Sequence, residues 1–253
     1  MIFVEKLYDL EGKQIEMINI TTYSLQPYFS CNVNDVFLSS EWFRESVNEK
    51  VRKNRIILES ESVDISLFFN HNLDTGKNRI GYPLIIYHYF NHCFYLTGIN
   101  EGANAVSLLA KNLNQPFSMD GILFDGFKPE INETEVFIGI SPGTRKLALI
   151  EWIPLHYRHY PAFREMTLVE KAAELNQKLF KHISEEMGRF LGISFENLTV
   201  ELTDITRVYP APLLYKGHEY HAFDVEFITN AVLPPYLTLG NNKSMGYGRI
   251  IPL

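Results

Sequence analysis

The sequence predicts an α+β protein made of two tandem ferredoxin-like (RRM-like) domains with antiparallel sheets. Each half of the 253-residue chain carries strand-like runs on both sides of a helix-like run, which is the split β-α-β arrangement. A segment rich in proline, glycine and acidic residues, 115–133, separates the two halves. We therefore expect an N-terminal domain over 1–125 and a C-terminal domain over 126–253.

Alternation and periodicity place the elements of the N-terminal half. Residues 1–22 alternate apolar and polar side chains, which favours a strand, and 41–51 has a helical pattern. The β-branched and aromatic residues of 82–100 are interrupted by Asn91-His92, which predicts a hairpin. Because the first strand of this hairpin is apolar on both faces, we expect it in the centre of its sheet. Residues 101–113 read as a helix.

The C-terminal half contains the clearest helix signal. Thr167 and Glu170 have the spacing of a capping box, and Gly192 is expected to end the helix. Apolar residues recur at helical intervals, at Leu168, Ala172, Leu175, Leu179 and Ile183. The Ser-Pro-Gly-Thr sequence at 141–144 predicts a turn between two strands. Further strands are expected over 198–208, 221–230 and 249–252.

Composition excludes several classes of function. Nearly half of the residues are hydrophobic, no apolar run is long enough to span a membrane, and the N-terminus lacks the features of a secretion signal. Cys31 and Cys93 are isolated, as expected for reduced thiols of a cytoplasmic protein. The histidines form no metal-binding motif, so neither a metal nor another cofactor is predicted.

The distribution of charge leaves a nucleic-acid partner open. The net charge of −7 argues against a uniformly basic binding surface. The cations are clustered, however, because basic residues are concentrated within 50–55 and Lys243 and Arg249 belong to a glycine-rich segment. A local basic groove on an acidic protein is one interpretation, and a set of ordinary solvated surfaces is the other.

The glycine-rich segment lies near the C-terminus, in YLTLGNNKSMGYGRI at 236–250. Gly240, Gly246 and Gly248 permit unusual backbone conformations, and successive N–H groups can line a concavity that attracts anions. Lys243 and Ser244 add a positive charge and a hydroxyl, so phosphate is the expected ligand. The spacing matches neither a P-loop nor a dinucleotide-binding fingerprint. A tight hairpin without a ligand is the alternative.

Two blocks of the sequence resemble the CRISPR-associated repeat-RNA-processing endoribonucleases of the RAMP superfamily. The first block, 215–250, contains a YKG turn, an FDVEF strand and the ending LG…S.GYG. The second block, 67–106, places an HN-containing stretch before a YPL-I-Y strand and a GINEG helix start. The two blocks occur in the order that the family shows.

The resemblance implies cleavage of CRISPR precursor RNA within its repeats, to give mature guide RNAs, with no metal and no cofactor. In this reaction a ribose 2′-OH attacks the adjacent phosphate and leaves a 2′,3′-cyclic phosphate. The protein positions the RNA, transfers protons and stabilises the charge that develops on phosphorus. The implied partners are CRISPR repeat RNA, other subunits of an interference complex and a second copy of the chain, with no membrane.

The resemblance also implies roles for particular residues. His71 is the implied proton-transfer group, since imidazole titrates near neutral pH, and Tyr82 or a lysine such as Lys77 is the implied assistant. Lys243 is implied to hold the phosphate. The implied RNA-binding residues are Lys77, Arg79, Gly240, Asn242, Ser244, Gly246, Tyr247 and Gly248. For Tyr247, burial in the last strand is the alternative to stacking on a base.

Departures from the family pattern open a second function. Phe69 stands where the family has the first of two histidines, so only His71 is kept. Thr238 and Asn241 replace a glycine and a lysine of the loop, and the connection over 36–64 is longer than usual, with no role assigned. The alternative function is a non-catalytic RNA-binding homologue that keeps the fold and the loop.

A second histidine-rich stretch, HYRHYP at 156–161, combines basic and aromatic side chains. This composition is compatible with RNA contact and equally with an ordinary surface corner. His218 and His221, which flank the strand after the YKG turn, have no predicted role.

Overall fold

The protein is described by a computed structural model that covers residues 7–8, 14–15, 17–26, 40–69, 82–90, 93–112, 117–119, 122–124, 128–188, 192, 195–215 and 217–253. The strands are β1 (Leu7–Tyr8), β2 (Gln14–Ile15), β3 (Met17–Gln26), β4 (Ile85–Phe90), β5 (Cys93–Ile99), β6 (Phe117–Met119), β7 (Ile122–Phe124), β8 (Lys128–Phe137), β9 (Gly139–Trp152), β10 (Val200–Val208), β11 (Leu213–Tyr215), β12 (His218–Tyr220), β13 (Phe223–Val232) and β14 (Arg249–Pro252).

The helices are α1 (Ser40–Lys53), α2 (Arg55–Ser60), α3 (Ser66–Phe69), α4 (Glu101–Asn112), α5 (Tyr160–Glu165) and α6 (Leu168–Lys181). Short 3₁₀ turns occur at Tyr157–His159 and Lys243–Met245, and a π-helical stretch, His182–Gly188, follows α6. Within the part of the chain that the structure describes, no helix combines the length and the apolar character needed to span a membrane.

The chain divides into two compact units. The N-terminal unit comprises Asn19–Glu135 and the three residues Ser244–Gly246. The C-terminal unit comprises Met1–Ile18, Val136–Lys243 and Tyr247–Leu253.

The N-terminal unit is ferredoxin-like. Its sheet has the order β4-β5-β3-β8, in which β5 pairs antiparallel with both β3 and β4. Helix α1 lies between β3 and β4 in the chain, and α4 lies between β5 and β8, which gives the β-α-β-β-α-β plan. The predicted hairpin is confirmed, because Phe90 pairs with Cys93. Stacked Phe43 and Phe94, with ring centroids 4.8 Å apart, belong to the core of the unit.

The prediction that the strand after Tyr82 is central was wrong. Strand β4 lies at the edge of the sheet in the order given by the described residues. Its first four residues, Ile85–His88, are still buried because α1 packs against the strand and because the backbone of Gly246 lies close to Tyr87 and His88. The apolar character on both faces therefore reflects cover from a helix and a loop rather than from two neighbouring strands.

The C-terminal unit repeats the same strand order with one replacement. Its sheet is β10-β13-β9-β14, with antiparallel pairs throughout. Helix α6 lies between β9 and β10 in the chain and packs against β10. Between β13 and β14, where the ferredoxin-like plan has its second helix, residues 233–248 form a loop with only the 3₁₀ turn Lys243–Met245.

The helix and turn predictions of this half met different outcomes. The capping box at Thr167 and Glu170 is confirmed, with both reciprocal hydrogen bonds present. Leu175 and Leu179 are buried, whereas Leu168 is 84% exposed. The Ser-Pro-Gly-Thr turn was wrong: 141–144 continues β9 as a bulge, because the pairing with β13 accommodates the extra residues.

Candidate nucleic-acid interface

The glycine-rich loop, residues 240–248, is closed at its base by strand-like pairing. Leu239 N donates to Gly248 O at 2.9 Å, and Ile250 N donates to Leu237 O at 3.0 Å. Thr238 forms an isolated antiparallel bridge with Arg249. These contacts lie within the C-terminal unit and fix the two ends of the loop against each other.

Gly248 has a backbone that a side chain would disrupt. Its φ is +72°, and an added Cβ would lie 3.0 Å from the Leu239 carbonyl carbon and nearer still to the oxygen. Its N–H donates to the carbonyl oxygens of Ile150 and Glu151, both at 3.1 Å. Glycine is therefore required here by the packing of the chain on itself.

Close packing also explains the other two glycines of the loop. An added Cβ on Gly240 would lie 2.6 Å from Ile153 O and 2.9 Å from the Trp152 ring. On Gly246, within the N-terminal unit, it would lie 2.7 Å from His88 Nδ1. Packing accounts for these glycines without a ligand, so their role in RNA binding stays a prediction.

Lys243 is half-buried, and its side chain and its carbonyl both make hydrogen bonds to residues just before it in the chain. Its Nζ donates to Gly240 O at 2.9 Å, and its carbonyl accepts from Thr238 Oγ1 at 3.2 Å. Burial, followed by the Lys243 charge, lowers the pKa of His182 to about 3. His182 is therefore neutral at pH 7, and its Nδ1 accepts a hydrogen bond from Trp152 Nε1 at 3.2 Å. Because His182 stays neutral, it adds no repulsive positive charge beside the Lys243 ammonium.

The other predicted loop residues differ in exposure. Asn242 is half-buried and has a φ of +56°, a conformation that asparagine tolerates better than most residues. Ser244 is buried, with an exposed fraction of 8%. Tyr247 is half-buried and packs against a small apolar cluster that contains Ile153 and Tyr220. This packing agrees with the alternative of burial for Tyr247 and leaves stacking on a base untested.

The predicted residues His71, Lys77 and Arg79 lie outside the described residues. The residues that flank this segment are fixed in the N-terminal unit, because Phe69 and Tyr82 are 1% and 5% exposed. Because Tyr82 is buried, a role in proton transfer requires that the RNA reach its side chain.

Arg44 joins the chain just before His71 to the middle of the glycine-rich loop. Its Nη2 donates to Phe69 O at 2.6 Å, and its Nη1 lies 3.2 Å from Met245 Sδ. Both contacts belong to the N-terminal unit. The Arg52 guanidinium lies 5.2 Å from the centroid of the Phe69 ring, so this phenylalanine is a core residue covered by a cation.

A polar cluster beneath Gly248 was missed by the sequence analysis. Asp224 Oδ1 accepts from Glu151 N at 2.8 Å, and Asp224 Oδ2 accepts from Tyr209 Oη at 3.2 Å. Burial raises the pKa of Glu151, and Arg249 opposes this shift. Burial also raises the pKa of Tyr209 to about 12. The available signal was an acidic residue, Asp224, at the start of a strand whose neighbouring positions 223 and 225 are apolar.

This cluster fixes the backbone that supports the loop. Glu151 has a φ of +54°, an uncommon conformation for a residue with a side chain. Its N–H is held by Asp224, and its carbonyl accepts from Gly248 N. The carboxylate of Asp224 therefore helps to set the position of Gly248 through a strained residue.

Four histidines are brought together on the C-terminal unit, although only two of them were predicted to share a surface. His156 and His159 come from the stretch at the 3₁₀ turn, and His218 and His221 come from the hairpin of β11 and β12 and the residue just after it. Sequence could not place them together because about sixty residues separate the two segments. Among the described residues, no group of three or more His, Cys, Asp or Glu side chains is arranged to hold a metal ion.

The C-terminal part of the chain is similar to a known family of domains. Residues 140–253 match the family model for the Cas6b C-terminal domain. The resemblance to the CRISPR-associated RAMP proteins is confirmed. No curated protein matches the chain.

Solved structures support the same assignment of the fold. A crystal structure of Cas6b aligns with a TM-score of 0.71 at 17% identity, covering 94% of this chain and 100% of that one. A second, of the CRISPR RNA processing endoribonuclease Cas6b, aligns with a TM-score of 0.61 at 16% identity and the same coverage. Csf5, a type IV Cas6 crRNA endonuclease, aligns at 0.59 and 12% identity, also over 94% and 100%. At these identities the likeness establishes the fold alone.

Proposed function

We propose that this protein is an endoribonuclease that cleaves CRISPR precursor RNA within its repeats to give guide RNAs. The observation that carries the proposal is the match of 140–253 to the Cas6b C-terminal domain, a segment that contains the whole glycine-rich loop. Two of the solved structures with the same fold are named as CRISPR RNA nucleases. CRISPR repeat RNA is therefore the partner that the proposal requires.

The proposed reaction is attack of a ribose 2′-OH on its own adjacent phosphate, with release of the 5′-oxygen and formation of a 2′,3′-cyclic phosphate. The nucleophile belongs to the substrate, so the protein needs neither an activated serine nor a metal-bound hydroxide. His71 transfers the proton to or from the reacting oxygens, and Lys243 balances the charge on phosphorus. Tyr82 or Lys77 assists where a single imidazole is insufficient.

Within the N-terminal unit, Arg44 contacts both the end of α3 and one residue of the glycine-rich loop. Arg44 contacts the Phe69 carbonyl and also Met245, two residues after Lys243. The same arginine thus connects the Phe69 backbone with the loop residue Met245.

The remaining predicted residues have supporting roles in the proposal. Lys77 and Arg79 bind the RNA backbone. The loop residues Gly240, Asn242, Ser244, Gly246, Tyr247 and Gly248 shape the surface that receives the RNA. Homodimerisation and association with other interference-complex subunits stay predictions, which size-exclusion chromatography with light scattering of the free and RNA-bound protein can test.

The decisive experiment is cleavage of a repeat RNA from the protein's own genome in the presence of EDTA. We expect cutting to continue, with a 2′,3′-cyclic phosphate at the new end, and to stop when the attacking 2′-OH is replaced by hydrogen. His71→Ala should reduce the rate by about 100-fold or more, because general acid–base groups contribute this much. Lys243→Ala should slow the reaction, whereas Lys111→Ala, which removes an exposed lysine of α4, should not.

Three results would contradict the proposed reaction. Cutting that requires a divalent metal would remove the metal-free mechanism. Cutting of the 2′-deoxy substrate would exclude the internal nucleophile. A His71→Ala variant with unchanged rate would remove His71 from proton transfer.

The second candidate function is RNA binding without cleavage. The observation that favours it is the burial of Phe69 in the hydrophobic core, at the place where the resemblance implies the first of two histidines. A phenylalanine cannot transfer a proton. Tight binding of the repeat RNA with no product, under conditions in which the protein is folded, would establish this function in place of the first.

A further inference from the structure

A surface of the C-terminal unit concentrates rings and cations that the proposed reaction does not use. It is formed by the 3₁₀ turn Tyr157–His159, helix α5 and the end of the β11–β12 hairpin. We name this surface the histidine–tyrosine platform. Its members are His156, Tyr157, Arg158, Tyr160, Arg164, His218, Tyr220 and His221.

The rings of the platform are in ordered contact. Tyr157 and His218 are stacked, with centroids 3.8 Å apart and planes only 5° from parallel. His156 lies against the same tyrosine at 4.2 Å, and Tyr160 lies against His221 at 4.1 Å. These contacts join two segments that are far apart in the sequence, so the rings hold one another in place.

The platform has a buried base and an exposed outer layer. Tyr220 and Tyr160 are buried, with exposed fractions of 7% and 6%, and Tyr160 donates its hydroxyl to His221 O at 3.0 Å. His156 and His218 are exposed. Exposed rings that are already ordered lose little conformational freedom when a flat ligand stacks on them, so less of the binding free energy is lost.

Two arginines add positive charge at the rings. The Arg158 guanidinium lies 5.5 Å from the Tyr157 ring centroid, and its Nε donates to the tyrosine hydroxyl at 3.2 Å. Arg164 Nη2 lies 3.1 Å from His221 Nε2. Burial and then the Arg164 charge lower the pKa of His221, whereas the carboxylate of Glu219, two residues earlier in the chain, raises it. Planar cations beside stacked rings match the alternation of phosphates and bases in a single strand.

The platform is continuous with the glycine-rich loop through one residue. Tyr157, Tyr220 and Tyr247 all pack around Ile153 and its small cluster. The carbonyl of Ile153 accepts from Asn241 N at 2.9 Å and from Asn241 Nδ2 at 3.1 Å. The loop and the platform therefore pack on the same residue of the C-terminal unit.

We infer that the histidine–tyrosine platform binds unpaired nucleotides of the RNA, with bases stacked on His218 and His156 and with phosphates held by Arg158 and Arg164. The inference rests on the proposed function for the identity of the RNA. It assigns the platform to binding and not to cleavage, so the platform extends the RNA-contacting surface beyond the loop.

The test measures RNA affinity by fluorescence anisotropy with two probes, the cognate repeat RNA and an unstructured oligouridine. His218→Ala should weaken binding of both by about 10-fold, since loss of one stacking contact has this size. His218→Phe keeps a ring and should retain most of the affinity. Arg158→Ala should weaken binding, whereas Arg145→Ala, an exposed arginine of β9 in the same unit, should not.

The two probes separate failure of the inference from failure of the proposed function. Wild-type affinity in both His218→Ala and Arg158→Ala would overturn the platform, while repeat cleavage by the wild type would still support the nuclease. If the wild type does not cut the repeat but its oligouridine binding depends on His218, the inference about the platform is supported and the proposed nuclease activity is contradicted. Equal losses in His218→Ala and His218→Phe would also overturn stacking. Thermal melting of each variant verifies that it is folded.

Discussion

Replacement of Gly248 by alanine should destabilise the protein through two separable effects. At a φ of +72° an L-residue with a side chain is strained by about 1–2 kcal/mol. The new methyl group would also overlap the Leu239 carbonyl, and forced overpacking of this kind costs about 1–3 kcal/mol. We therefore expect Gly248→Ala to lower the free energy of unfolding by about 2–5 kcal/mol.

The chain offers two matched controls that isolate these effects. Gly217 has a φ of +76° with no atom within 4 Å of its added Cβ, so Gly217→Ala should show the backbone strain alone. Gly143 has neither a left-handed backbone nor a close neighbour, so Gly143→Ala should stay within about 0.5 kcal/mol of the wild type. Each of the three variants adds the same single methyl group to the wild type.

Urea unfolding followed by far-UV circular dichroism measures the three differences. The expected order of stability is Gly143→Ala first, Gly217→Ala second and Gly248→Ala last. Equal losses at 217 and 248 would refute the argument from close packing. A Gly248→Ala protein with wild-type stability but weakened RNA binding would show instead that the glycine serves the ligand.

Three further predictions concern the cap, a buried imidazole and the arginine of the N-terminal unit. Thr167→Ala removes the capping box of α6 and should cost about 1 kcal/mol of stability, whereas Thr203→Ala, at an exposed position of β10, should cost much less; equal urea midpoints for the two would contradict the cap. The pKa of His182 is about 3 in the folded protein and about 6.5 when unfolded, so the unfolded state binds a proton that the folded state does not as the pH falls from 6.5 toward 3. The stability that comes from burying the neutral imidazole is therefore complete above pH 6.5 and is lost over this range. His182→Phe should flatten the dependence of the urea midpoint on pH between 6.5 and 3, and an unchanged slope would contradict the prediction. Arg44→Met leaves the Phe69 carbonyl without its charged donor, so thermal melting should show a loss of about 1–3 kcal/mol, and an unchanged melting temperature would exclude a structural role for this contact.

Local signals in the sequence predicted local structure well. The capping box at Thr167 and the hairpin closed by Phe90 and Cys93 were confirmed, because each depends on residues close together in the chain. The two errors were of another kind. The turn at 141–144 and the central position of β4 were both decided by distant segments, β13 in the first case and α1 with Gly246 in the second.

The candidate site shows the same limit. Composition alone identified the glycine-rich loop and the basic-aromatic stretch at 156–161. It did not indicate the bond from Asp224 to Glu151 or the stack of Tyr157 on His218, since antiparallel pairing of strands far apart in the sequence creates the first and the approach of the hairpin creates the second. The sequence showed which residue types are present, but it did not show which residues from distant segments lie close together.

The structure changes how the glycine-rich loop is expected to bind RNA. A loop that replaces a helix must find partners for its buried backbone amides. Two of them are already committed: Asn241 N donates to Ile153 O, and Gly248 N donates to the carbonyls of Ile150 and Glu151 in β9. An anion site that used either of these two donors would have to break the hydrogen bond that the donor already makes. The glycines therefore build a close-packed support. Under the proposed function, we expect side chains to recognise phosphate, with Lys243 in the loop and the arginines of the platform beyond it. On this basis Lys243→Ala should reduce the salt dependence of RNA binding by about one counterion, whereas Asn242→Ala should leave that slope unchanged. Equal salt slopes for Lys243→Ala and the wild type would contradict this role of Lys243 and would indicate that backbone amides bind the phosphate instead.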